Sequence, residues 1–191
     1  MIVQIYTLQS VEEAIEVISV GVDNIGITPA SIGLPGEISY ETAKDICKKV
    51  EGGTKVALSV SSNIDEIIEM VMFVCPDVLH LCGEPGELNV NAVRSLKERL
   101  QKFNKVLPIM QAISVDDMSA LDFAKEYEEI SDFFILDTST TAVQGVGASG
   151  NVHDWNVSKA IVDSVDIPVI LAGGLSAENI KEAISIVHPW G

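Results

Sequence analysis

A carboxylate, Asp137, closes the apolar run FFILD, and an acid in that place either caps the turn that follows or faces a reaction site. The loop TTAVQGVGASGNVHDW follows at 140–155. Its Gly145, Gly147 and Gly150 let the backbone close over a ligand as a lid, or simply carry it across the surface. A second glycine feature, Gly173-Gly174 in LAGGLSAENI, ends an apolar run before a helical stretch with Glu178 and Asn179 in its first turn. Backbone N–H groups bared there bind phosphate; the plainer alternative is that the glycines relieve crowding where the helix begins. His80 and Cys82 alternate along VLHLC and so face one side of a strand. Zinc would need further ligands, and the other histidines, His153 and His188, lie in a loop and near the end of the sequence, so no metal is expected.

The elements that must position these groups alternate along the chain. Short β-branched runs at 2–6, 24–27, 55–59, 78–81, 107–112, 133–137 and 168–172 read as strands. Apolar residues at helical spacing fill 11–20, 40–50, 64–74, 91–103, 116–127, 158–165 and 177–186. Ser10 with Glu12 and Glu13, and Asn63 with Asp65 and Glu66, are helix starts with acids in the first turn. Strand–helix units without hairpin signals predict a parallel sheet, as an open doubly wound sheet or a closed (β/α)8 barrel. The first strand leads into TLQS, which has no glycine to cradle a nucleotide, and the regular short strands favour the barrel. A single domain over 1–191 is expected, with the eighth strand and helix missing: the last helical stretch runs out at His188-Pro189-Trp190-Gly191, where an eighth strand should begin. Either the sequence is cut short there or another element fills the gap; the clean boundary favours the first. In such a barrel the strand ends form the mouth, and the residues there are Tyr6, Thr7, Gln9, Thr28, Ser59, Ser61, His80, Cys82, Gln111, Asp137, Thr138, Gly173 and Gly174.

Composition narrows the function classes. A net charge of −16 and a pI near 4.3 oppose nucleic acid and anionic membrane as partners, and require any phosphate to be held by local N–H groups against the overall field. Three cysteines, Cys47, Cys75 and Cys82, in no metal-ligand spacing suit a reducing, cytoplasmic setting. The apolar stretch at 67–75 is too short to span a bilayer and contains Glu69. Oligomeric state leaves no mark on the sequence.

Taken together, VLHLCGE, ILDT, GVGASGNVHDW and ILAGGLSAENIKEAISIVHPWG resemble the phosphoribosylanthranilate isomerase family, in order and in spacing. The resemblance implies a TIM barrel, a small phosphorylated sugar as ligand and no cofactor. It also implies an Amadori rearrangement of an aminoaldose phosphate to an aminoketose phosphate, a step of tryptophan biosynthesis. In the family a general acid at the end of the sixth strand opens the ribose ring, and Asp137 matches it. A cysteine at the end of the first strand serves the family as base; here the stretch is QIYT and Tyr6 stands in its place. A free phenol has a pKa of about 10 against about 8.5 for a thiol, so roughly one Tyr in a thousand is ionised at neutral pH, a penalty of roughly 4 kcal/mol. The family's arginine before the second helix is also replaced, by LPGEIS with Gly36 and Glu37. By resemblance the candidate site is Asp137 and Tyr6 for catalysis, with Gly147, Gly150, Gly173, Gly174, His80 and Cys82 around the substrate and its phosphate. Two functions remain open: an isomerase, or a divergent relative that binds a sugar phosphate or another small molecule without this turnover.

Overall fold

Runs of Val, Ile and Leu pair side by side in chain order. The strands are β1 (Gln4–Ile5), β2 (Asn24–Ile27), β3 (Thr54–Ser59), β4 (Val78–Leu81), β5 (Ile109–Ser114), β6 (Phe133–Asp137) and β7 (Val169–Leu171). The structure, a computed structural model, describes residues 1–83, 86–138 and 152–191. Between the strands run α1 (Val11–Ser19), α2 (Tyr40–Lys49), α3 (Ile64–Val74), α4 (Val90–Lys102), α5 (Ser119–Tyr127) and α6 (Trp155–Val162), and α7 (Ile180–Val187) follows β7. All neighbouring strands are parallel, in the order β1-β2-β3-β4-β5-β6-β7. A doubly wound sheet reverses its order part-way; this one does not, and it curls in one sense as a barrel sheet does.

Between β7 and β1 the last residues do the work of an eighth strand's beginning. Trp190 N–H donates to Val169 O at 2.9 Å, Leu171 N–H to Gly191 O at 3.0 Å, and Ile2 N–H to Trp190 O at 3.1 Å. The tripeptide Pro189-Trp190-Gly191 thereby ties the two outer strands together at one end.

Local caps move several helix starts from where periodicity puts them. The helix expected from 158 begins at Trp155, because the Asp154 carboxylate accepts from Asn156 N–H at 2.9 Å. The one expected from 116 begins at Ser119, after Asp117 accepts from Ser119 N–H at 2.7 Å. Helix α7 begins at Ile180, so Glu178 and Asn179 precede it rather than occupy its first turn. Ser10 and Asn63 cap α1 and α3 through Glu13 N–H and Asp65 N–H.

Alternation along each strand splits the apolar residues into two layers. Ile25, Ile27, Ala57, Leu79, Leu81, Ile109, Ile113, Phe134, Leu136, Val169 and Leu171 pack outward under the helices, against faces such as Ile67, Val71 and Val74 of α3. Val56, Val60, Val78, Cys82, Met110, Ala112, Ile135 and Ile170 form a second cluster inside the curl, with Tyr6, Leu34, Leu58, Phe133 and Ala172 against it. Polar groups near one end of this interior satisfy each other: Asn24 Nδ2 donates to Gln4 Oε1 at 3.0 Å, and Gln4 Nε2 reaches Met110 Sδ at 3.7 Å.

One glycine decides how β1 ends. A Cβ on Gly26 would lie 2.0 Å from Tyr6 Cδ1 and 2.2 Å from Cε1, so the Tyr6 ring occupies the space a side chain on β2 would need. Replacing Gly26 by Ala forces the ring off its site at a cost of about 1–3 kcal/mol. Most of that cost should vanish in a Tyr6→Ala background, giving a coupling of similar size in a double-mutant cycle measured by urea unfolding; equal costs in both backgrounds would contradict the packing described.

Candidate active site

Strand β6 delivers Asp137 to the mouth. Phe133 and Ile135 point into the curl, so Asp137, two residues further, points the same way, level with Ser114 of β5. Its Oδ1 accepts the N–H of Thr138 at 2.7 Å. Burial in this half-enclosed place raises the carboxyl above the ordinary aspartate range, and the Thr138 N–H offsets only part of that rise.

Tyr6 comes from the opposite side. Its ring lies on Gly26, and its hydroxyl is 2.7 Å from His80 Nδ1, the two rings being tilted at 55°. Burial pushes the phenol well above its usual pKa, and nearby Cys82 and Asp137 push it further. His80 is 4% exposed, and burial lowers its pKa to about 3. Ring and phenol are both neutral, the imidazole tautomer setting which of them donates, and an imidazole that resists protonation will not accept the phenol's proton outright. The Tyr6–His80 pair is thus poorly suited to make a phenolate. Among the described residues His80 Nε2 has no hydrogen-bond partner. Cys82, 2% exposed, lies one step further toward the mouth on the same face of β4.

At the end of β7 the backbone turns through Gly173 (φ +84°) and Gly174 (φ +61°), a conformation that disfavours other residues. A Cβ on Gly173 would meet Thr138 Oγ1 at 2.9 Å, Asp137 Oδ1 at 3.0 Å and His153 Nδ1 at 3.1 Å. That glycine is therefore required by the acid beside it, a reason independent of any phosphate. Asn179 shapes the turn, donating from Nδ2 to Gly174 O at 2.9 Å and accepting Ser176 N–H at 2.8 Å. No hydrogen bond among the described residues takes up the N–H of Gly173 or Gly174. Gly147 and Gly150 lie outside the described residues.

Asp137, Tyr6, His80, Cys82, Gly173 and Gly174 are therefore gathered at one end of the curl, as a site needs. Gln111 is not among them. It faces outward, buried, with Nε2 on Leu81 O at 3.4 Å and Ala112 O at 3.1 Å, because β5 continues to Ser114 and the mouth position falls later. Glu37 of LPGEIS turns to its own loop: its Oε2 accepts the N–H groups of Ile32, Gly33 and Leu34 at 2.9–3.0 Å, which lower its pKa. Leu34, at the tip of that loop, packs onto the interior cluster. His153, considered from the sequence only as a metal ligand, and Ser158, not considered at all, meet beside Asp137; HDW just ahead of a helix is the one signal that pointed there.

Comparison with known proteins agrees with this architecture. The family described as "PRAI: N-(5'phosphoribosyl)anthranilate (PRA) isomerase" matches residues 3–191. The chain belongs to this family. N-(5'-phosphoribosyl)anthranilate isomerase of Methanocaldococcus jannaschii is 32% identical over 184 residues, which cover 94% of this chain and 80% of that protein. The phosphoribosyl anthranilate isomerase structure from Thermotoga maritima superposes with a TM-score of 0.78 at 25% identity, covering all of this chain and 85% of that one. A phosphoribosyl anthranilate isomerase solved in complex with reduced 1-(o-carboxyphenylamino)-1-deoxyribulose 5-phosphate has the same fold, with a TM-score of 0.73, 22% identity, and coverage of all of this chain and 84% of that one. No helix among the described residues is long and apolar enough to cross a membrane.

The protonation state of His80 has a measurable consequence. Its unfolded-state pKa near 6.5 falls to about 3 on folding. Between those values the unfolded chain binds a proton that the folded chain refuses, so stability is lost as pH falls, at up to about 1.4 kcal/mol per pH unit. His80→Gln should remove that component. The wild-type-minus-variant difference in urea unfolding free energy should then shrink by about 1–2 kcal/mol between about pH 7 and about pH 5, and a pH-independent difference would refute the buried neutral imidazole.

Proposed function

We propose that this protein catalyses the Amadori rearrangement of N-(5'-phosphoribosyl)anthranilate, with Asp137 as the proton-transferring residue. The observation that carries this reading is a carboxyl group with a raised pKa, facing the mouth of a barrel of the matching family. The protonated Asp137 gives its proton to the ribose ring oxygen; the C1′–O bond breaks and C1′ becomes an iminium carbon. Asp137 is then a carboxylate beside a substrate whose C2′–H the iminium has acidified, and it takes that proton. The C1′=C2′ enolamine so formed tautomerises, C2′–OH becoming a ketone as C1′ gains a hydrogen. Apart from the C1′–O cleavage that protonation drives, each step is a proton transfer, and the scheme as written calls on no cofactor.

Tyr6 takes the part of a filler in this scheme. Its hydroxyl is engaged with His80 and its pKa is raised, so it stands further from a base than a free phenol does. The phosphate is assigned to the N–H groups of Gly173 and Gly174, with Gly147 and Gly150 of the preceding loop as further candidates. Dipolar N–H groups suit a chain with a net charge of −16, because they attract phosphate locally whatever the long-range field. His80 and Cys82 line the floor beneath the substrate. The chain works as one barrel domain on a small phosphorylated sugar in the cytoplasm, with no nucleic acid partner. The state of Tyr6 also favours a second reading, a sugar-phosphate binder without turnover, since no ionised side chain replaces a thiolate at the end of β1.

Loss of phosphoribosylanthranilate fluorescence separates the two. Asp137→Asn should lower kcat by at least about 100-fold, whereas Tyr6→Phe should leave it within about threefold. Binding of the substrate by the wild-type chain with no turnover would select the second reading. A loss with Tyr6→Phe as large as with Asp137→Asn would return Tyr6 to the chemistry.

A further inference from the structure

We propose that His153 is a positioning residue for Asp137, holding one carboxyl oxygen through Thr138 so that the other is presented to substrate. The proposal rests on the isomerase reading for its kinetic consequence and on geometry alone for its structural one. Three segments meet at this point: the end of β6, the residue before the cap of α6, and the bend after β7. His153 Nε2 is 2.7 Å from Ser158 Oγ, on the inner face of α6 and fully buried. On its other side Nδ1 is 3.2 Å from Thr138 Oγ1. Thr138 in turn gives its N–H to Asp137 Oδ1 at 2.7 Å. The imidazole is thus a strut between a helix and the residue next to the acid.

Gly173 shows how tightly the strut is drawn. Thr138 Oγ1, Asp137 Oδ1 and His153 Nδ1 all fall within 2.9–3.1 Å of the point where a Cβ would sit on that residue. Any side chain there would drive the three apart. Oδ1 is fixed by this arrangement, while Asp137 Oδ2 takes no hydrogen bond among the described residues. Oδ2 is therefore the oxygen left to carry and transfer the proton. A histidine suits the strut because its two nitrogens point in divergent directions and can meet a hydroxyl on either side. Burial lowers its pKa, against the opposing pull of Asp154 and Asp116, so the ring stays neutral and adds no charge beside the acid.

Side chains that copy one nitrogen at a time test this. His153→Phe keeps the ring and loses both hydrogen bonds; His153→Asn places an amide near Nδ1, and His153→Gln near Nε2. With phosphoribosylanthranilate as substrate, His153→Phe should lower kcat by about 10–100-fold with KM changed less than about threefold. Asn should restore most of the loss and Gln less of it. An unchanged kcat in His153→Phe, or equal losses in all three variants that track their thermal midpoints, would overturn the positioning role. A wild-type chain that turns over no substrate would defeat the isomerase reading instead. In that event the Asp137 χ1 couplings measured by NMR decide the matter: one rotamer in wild type and averaging in His153→Phe supports the strut, and one rotamer in both overturns it.

Discussion

Water is kept from the inside of the curled sheet by Val56, Val60, Val78, Met110, Ile135 and Ile170, and that exclusion sets the protonation of each ionisable group facing it. The same desolvation acts in opposite senses on acids and bases. It raises the pKa of Asp137 and of Tyr6, and lowers that of His80, which stays neutral. A carboxyl group that retains its proton is what ring opening requires. A phenol that retains its proton is what a base cannot be. The apolar interior therefore favours one half of the family's acid–base pair and disfavours Tyr6 as the other.

The contact between Tyr6 and Gly26 shows why this is a property of the fold rather than of one residue. A bulky side chain at the end of β1 is accommodated because β2 offers no Cβ beneath it. Once the ring lies there, its hydroxyl meets His80 on β4 across the interior. Three strands are thus coupled through one aromatic ring. On the far side, β6, α6 and β7 are coupled in a comparable way through Thr138, His153 and Gly173. The mouth has an aromatic plug toward one wall and a hydrogen-bonded strut at the other.

Much of this architecture was legible from residue pattern, because period-2 and period-3.6 burial are imposed by strand and helix geometry alone. Strand number and parallel order followed from that pattern. So did the caps at Ser10 and Asn63, where the side-chain chemistry is local. The place of Asp137, turn cap or mouth, stayed open in it. What the pattern missed depends on contacts distant in sequence. Gln111 looked like a mouth residue only because the end of β5 was placed two residues early. The glycine in NIGI drew no expectation, because its partner, Tyr6, lies 20 residues away. Gly173 reads either as a phosphate feature or as relief of crowding at a helix start, and nothing near it in the chain names Asp137 as the group that crowds it. His153 reads as too poorly placed for zinc, and its actual role stays hidden because its hydrogen-bonding partners, Thr138 and Ser158, come together only when α6 docks on the sheet.

The central claim is that desolvation keeps Asp137 protonated beyond the range of an ordinary aspartate, and a carbon-13 NMR titration of its side-chain carboxyl tests that without any assumption about substrate. A midpoint clearly above the value of about 3.9 for an exposed aspartate is expected, moving back toward it when Ile135 or Ile170 is replaced by a polar residue that admits water. A midpoint at or below the exposed value would contradict the account, because the carboxyl would then be a charged group at neutral pH with almost no proton to give.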